Sequence, residues 1–99
     1  MSDHLPPLST IRVFEAAARL LSFTRAAEEL GMTQAAVSYQ IKLLEERVGG
    51  PLFLRRPREV TLTEAGQRLA PRLREAFDIL REAFADLSDQ SEGTLTINT

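Results

Sequence analysis

A mainly α-helical fold is predicted for this 99-residue chain: three short helices, a two-stranded hairpin, then one long helix. Three observations predict it. Apolar residues recur at three- and four-residue steps over 8–21, 24–30 and 34–48, with Gly31 and Gly49-Gly50-Pro51 as breaks. Two short β-prone runs, Leu52-Phe53-Leu54 and Val60-Thr61-Leu62, flank Arg55-Arg56-Pro57-Arg58-Glu59, which reads as a hairpin with an arginine-rich tip. Beyond it, apolar positions repeat at heptad spacing as far as Leu87.

The first helix spans Leu8 to Leu21, fenced at its start by Pro6 and Pro7, with Ile11, Phe14, Ala17, Ala18 and Leu21 on one stripe. Ser22 or Thr24 can cap the second, about Thr24 to Leu30, and Phe23 anchors the intervening turn. Ala26, Ala27 and Leu30 face inward, and Gly31 ends the helix because it tolerates φ > 0. Thr33 is a good N-cap for the third, about Gln34 to Val48, whose core stripe is Val37, Ile41, Leu44 and Val48. Small Ala27, Gly31 at the turn and Val37 in the interhelical angle suit a helix-turn-helix. With the hairpin this makes a winged helix-turn-helix.

The long helix is capped by Thr63, or by Thr61 through the Thr61-x-x-Glu64 pattern, and should reach Leu87 or Ser88. Pro71 removes the bond to the Gln67 carbonyl and should bend the axis. Leu69, Leu73, Ala76, Phe77, Leu80, Phe84 and Leu87 form a stripe too long for one small domain to cover, so they are the expected dimerisation residues. The opposite face mixes Arg with Glu and Asp, unlike a membrane-surface helix. Ser88 to Gly93 reads as a polar break, and Thr94 to Thr99 alternates like a strand without a partner. The expected organisation is a winged helix-turn-helix over 1–62, a linker helix over 63–90, and the start of a truncated second domain over 91–99.

Composition bounds the function. Hydrophobic content of 43% and charged content of 26% suit a soluble folded chain. No apolar run approaches bilayer length, and the N-terminus lacks the regions of a signal peptide. The absence of cysteine excludes disulfides and thiolate metal sites and fits a reducing cytoplasm. The net charge of −2 is unevenly spread: eight basic against seven acidic residues over 1–62, four against seven over 63–99. Arg47 to Arg58 holds four arginines and no acid, and a local patch matters more for phosphate binding than the total. No nucleophile–base pair, metal-ligand cluster or phosphate-cradling loop is recognisable, His4 has no ligand partners, and neither a catalytic site nor a cofactor is expected.

The third helix presents Gln34, Ala35, Ser38, Tyr39 and Lys42 opposite its core stripe, beside its cap Thr33. Gln34 can pair with adenine, and Ala35 can sit against a thymine methyl. Ser38 can reach a base edge or phosphate; Tyr39 can pack on a thymine methyl or donate to a phosphate; Lys42 suits a phosphate. Arg58 is the minor-groove candidate, since narrow A·T stretches attract arginine, with Arg55 and Arg56 on phosphates. Thr24 and Arg25 open the second helix, whose free N–H groups can bind phosphate, although Thr24 equally suits a cap. Taken alone, these faces also read as solvated polar surface and a solubilising turn.

FEAA from Phe14, SFTRAAEEL from Ser22, TQAAVS from Thr33, QIKLLE from Gln40, GGPLFLR from Gly49 and LTEAG from Leu62 stand in an order and spacing that resembles LysR-type transcriptional regulators. The resemblance covers Leu8 to Thr99 and is nearest the branch of glycine-cleavage activators and chromosomal β-lactamase regulators. It implies a bacterial, sequence-specific regulator that binds double-stranded promoter DNA, an imperfect palindrome, as a homodimer paired through the linker helix. It also implies a tetramer in the full-length protein, contact with RNA polymerase, and a small-molecule effector held only by a C-terminal domain outside this chain. The family often has Arg or His where this chain has Tyr39, so an arginine-type base contact is lost there. The rival reading is a helical protein-interaction module that uses the Leu69–Leu87 stripe and ignores DNA.

Overall fold

The computed structural model describes residues 5–57 and 59–94, arranged as α1 (Leu8–Leu20), α2 (Phe23–Leu30), α3 (Gln34–Val48), β1 (Phe53–Arg56), β2 (Glu59–Leu62) and α4 (Glu64–Thr94). This is the expected winged helix-turn-helix followed by a long helix. The strands pair antiparallel, from Phe53 opposite Leu62 to Arg56 opposite Glu59.

Local chemistry sets each boundary. Ser22 caps α2 by accepting from Arg25 N–H at 3.0 Å, so α2 starts at Phe23, one residue earlier than expected. Gly31 closes it with φ 69°, and Thr33 caps α3 by accepting from Ala36 N–H at 3.0 Å. Thr63, not Thr61, caps α4: its hydroxyl accepts from Gly66 N–H at 3.1 Å and donates to the Pro51 carbonyl at 2.9 Å. Leu21 departs from expectation. Ser22 is committed to capping α2, so Leu21 must reverse the chain; it takes φ 50° and leaves its side chain half exposed rather than in the core. A residue with Cβ in that region carries roughly 1 kcal/mol or more of strain.

Phe14, Val37 and Ile41 are fully buried, with Ala16, Ala17, Ala26 and Ala27 letting the helices approach closely. Phe53 brings the wing into this core, 5.4 Å from the Phe14 ring and edge-on to Phe23 at 5.2 Å. Val48, expected in the α3 stripe, is exposed, and Leu52 from the following segment is buried in the core instead. Thr10 Oγ1 donates to Gln40 Oε1 at 2.6 Å, tying α1 to α3. Arg19 bridges buried Glu15, at 2.9 Å, and Glu29 on α2. Hydrogen bonding to Arg19 holds the Glu29 carboxyl below its ordinary range, and the same bonds raise Arg19.

Two features of α4 go beyond expectation. First, the near end of the apolar stripe also packs within the chain: Leu69 and Leu73 are partly buried against the core, and Phe77 is only 9% exposed, where α4 lies along α1. Ala76 is exposed, as are Leu80, Phe84 and Leu87, and Ile79 joins them. Second, the helix continues through the expected Ser88–Gly93 break to Thr94. Ser, Asp, Gln and Glu cost a helix only tenths of a kcal/mol each and one glycine roughly 1 kcal/mol, which does not stop it. Thr94 is helical, and the remainder of the expected strand, 95–99, lies outside the described residues. At 1.5 Å per residue the 31-residue helix is about 46 Å long. Its distal half runs clear of the core, so the radius of gyration is 16.0 Å rather than the ~13 Å of a compact domain this size.

Candidate nucleic-acid interface

The third helix is locked in rotation. Val37, Ile41 and Leu44 are buried on one side and Gln40 is held by Thr10, so Gln34, Ala35, Tyr39 and Lys42 must face solvent, with Ser38 half-buried at their edge. Tyr39 is 60% exposed, an aromatic ring presented without a core to join. The approach to this helix is set by the turn, where Met32 N–H donates to the Ala27 carbonyl at 2.9 Å beyond left-handed Gly31.

An open groove of about 440 Å³ runs between the start of α2, the first half of α3 and the wing. Thr24, Gln34, Ser38, Arg55 and Arg56 line it together with Phe23, Pro57 and Val60. Five of the expected contact residues, far apart in sequence, thus meet in one concavity. Arg25 on α2, Ala35, Tyr39 and Lys42 on α3, and the α3 cap Thr33 are exposed outside that lining. Glu59 is the acidic member of the groove. Arg58 lies outside the described residues.

The arginines are not equivalent. Arg56 is exposed. Arg55 is engaged: its guanidinium stands 4.9 Å above the Phe23 ring and 3.7 Å from a Glu45 oxygen. Arg47 lines a different groove, with Pro6, Pro7 and Leu43, and donates to the Leu5 carbonyl at 3.2 Å. The arginine cluster of the sequence is therefore not one patch in space.

Sequence reasoning assigned no role to Glu45, Thr10 or Gly66. Glu45 accepts from the Leu52 and Phe53 N–H groups at 2.8 and 3.2 Å, tying α3 to β1. Gln40 and Glu45 both stood in the QIKLLE motif, but their tasks depend on partners 30 and 7 residues away. No group of three or more His, Cys, Asp or Glu among the described residues could hold a metal ion, and no helix there is long and apolar enough to cross a membrane.

Comparison with known proteins agrees with this geometry. The family model described as bacterial regulatory helix-turn-helix protein, lysR family, matches residues 8–67. The chain is 56% identical over 99 residues to the glycine cleavage system transcriptional activator of Escherichia coli K12, covering 99% of this chain and 32% of that protein. It is 54% identical over 90 residues to the HTH-type transcriptional activator AmpR of Pseudomonas aeruginosa, covering 91% of this chain and 29% of that one. It thus spans about a third of the length of such relatives. Among solved structures, a BenM DBD/benA site 1 DNA complex superposes with TM-score 0.78 at 28% identity, covering 90% of this chain and all of that one. Vibrio fischeri DarR in complex with DNA gives TM-score 0.73 at 28% identity, covering 89% of this chain and 30% of that one. Capped helix-turn-helix, wing, long helix and matched residues together place the chain in the lysR family of bacterial regulatory helix-turn-helix proteins.

Proposed function

We propose that this chain is the sequence-specific DNA-binding part of a transcriptional regulator, with α3 in the major groove and the wing against the adjacent minor groove. The observation that carries the reading is the groove that joins Thr24, Gln34, Ser38, Arg55 and Arg56 beside the exposed face of α3. Gln34 and Ala35 read base edges, Ser38 a base edge or phosphate, and Tyr39 supplies apolar contact to a thymine methyl. Thr24, Arg25, Lys42 and Arg56 hold phosphates, and Thr33 orients the start of α3. Arg58 enters the minor groove, where narrow A·T stretches attract arginine. The chain performs no chemistry and works in the cytoplasm. The relatives being transcriptional activators supports promoter DNA as its partner.

A dimer would pair two copies through the exposed part of α4, where Ile79, Leu80, Phe84 and Leu87 stand in solvent. Residues 1–62 would form the DNA-binding domain and 63–90 the linker. Tetramer formation, RNA polymerase contact and an effector site would belong to the longer protein, whose next domain would begin in 91–99.

Salt dependence tests the reading. Neutralising six or more phosphates releases their counterions, so affinity for a selected promoter site should fall about a thousandfold or more between ~50 and ~200 mM salt. No retardation at low salt would remove DNA binding and leave the helical interaction module. Leu80→Glu places a charge on the apolar face and should halve the mass seen by light scattering. Unchanged mass would exclude α4 as the dimer contact. Leu80 is preferred to Leu73, because Leu73 also supports the core.

A further inference from the structure

We infer that Glu45 and Arg55 form a positioning clip that sets the wing relative to α3, and that Arg55 influences DNA binding through the wing rather than as a phosphate contact. The inference rests on the DNA-binding reading above and refines it. A two-stranded hairpin is barely stable alone, so something must hold it in place. Phe53 anchors one end in the core. Thr63 ties down the start of the segment through the Pro51 and Leu52 carbonyls, and Glu45 adds a constraint from α3 with both carboxylate oxygens. Oε2 accepts from two successive amides, Leu52 just before β1 and Phe53 at its start, and Oε1 faces the Arg55 guanidinium at 3.7 Å.

Arg55 completes the arrangement from the other side. Its guanidinium lies over Phe23, the first residue of α2, whose ring is edge-on to Phe53. One side chain therefore touches all three elements that wall the groove: the start of α2, α3 and the wing. Glu45 stands two turns along α3 from Ser38, and a hydrogen-bonded helix transmits a displacement over two turns with little loss. The guanidinium is still partly exposed to the groove, but its charge already faces a ring and a carboxylate, which leaves less of it to replace a counterion. Its planar fork also suits stacking and pairing in a way that a lysine ammonium does not reproduce.

The test compares wild type, Arg55→Ala, Arg55→Lys, Glu45→Gln and the double variant Glu45→Gln/Arg55→Ala in the 99-residue chain. Binding is measured on two duplexes with the same half-sites and either A·T or G·C flanks. A clip predicts that Arg55→Ala leaves the slope of log affinity against log salt unchanged. It also predicts a loss of about tenfold on A·T flanks and little on G·C flanks, because only the wing's placement suffers. Arg55→Lys should not rescue, and the double variant should be no worse than the poorer single one. A phosphate contact predicts the reverse: a slope lower by about 0.9, equal loss on both flanks and rescue by lysine, and this result would overturn the proposal.

Backbone amide residual dipolar couplings of the DNA-free chain give an independent arm. In Glu45→Gln and Arg55→Ala, wing couplings should no longer fit the alignment shared by α1–α3. Unchanged couplings in both variants would also overturn the clip. Failure of wild type to bind either duplex would remove the DNA reading, while the couplings still decide the clip.

Discussion

Phe53→Ala should destabilise the domain by about 3–5 kcal/mol, the usual cost of truncating a buried phenylalanine. Phe53 is buried at the point where two ring contacts converge, so the cavity would open between Phe14 and Phe23. Helical alanines crowd the same core and cannot collapse into the space without moving backbone. The loss should appear as a lower urea midpoint with an unchanged slope, since the same surface is exposed on unfolding. DNA affinity should fall further than stability alone requires, because the residue also seats the wing. A cost below about 1 kcal/mol would mean that the wing is not part of the cooperative core.

Gly66→Ala is expected to be the most damaging small substitution in α4. A Cβ there would stand 2.2 Å from the Leu52 carbonyl oxygen and 2.9 Å from a Leu62 methyl. Leucine can rotate away, but the Leu52 carbonyl accepts from Thr63 N–H at 3.0 Å and belongs to the backbone that Glu45 holds. Alanine would gain up to about 1 kcal/mol of helix propensity over glycine. The strain of displacing backbone, about 1–3 kcal/mol or more, outweighs it. A lower thermal midpoint should accompany weaker hydrogen-exchange protection in β1. An equal or higher midpoint would show that α4 can lift from Leu52 at no cost.

The local features of the fold were legible because they are written locally. Thr33, Gly31 and the apolar steps of α3 each act within one turn, and α3 was read to its observed ends, Gln34 and Val48. The wing was read from two β-prone runs and the residues between them. Partner-dependent features were not legible. Nothing in the periodicity of α4 says that Leu69 and Leu73 would pack on the core and Phe77 be buried while the distal stripe stays exposed. Arg55 and Arg56 are adjacent, chemically identical and both exposed, yet Arg55 lies over Phe23 and beside Glu45, partners that their neighbours in sequence do not reveal. Leu21 hides in an apolar stripe because composition does not record that its neighbour is needed as a cap.

The rotational locking of α3 separates two kinds of change. Gln34, Ala35 and Tyr39 contribute nothing to the buried core, while Val37 and Ile41 contribute nothing to the exposed face. Substitution on the outer face can therefore exchange one set of base contacts for another while stability stays within a few tenths of a kcal/mol. A lineage could drift between operators without passing through an unfolded intermediate, and an engineer could vary those positions as a library on a constant chassis.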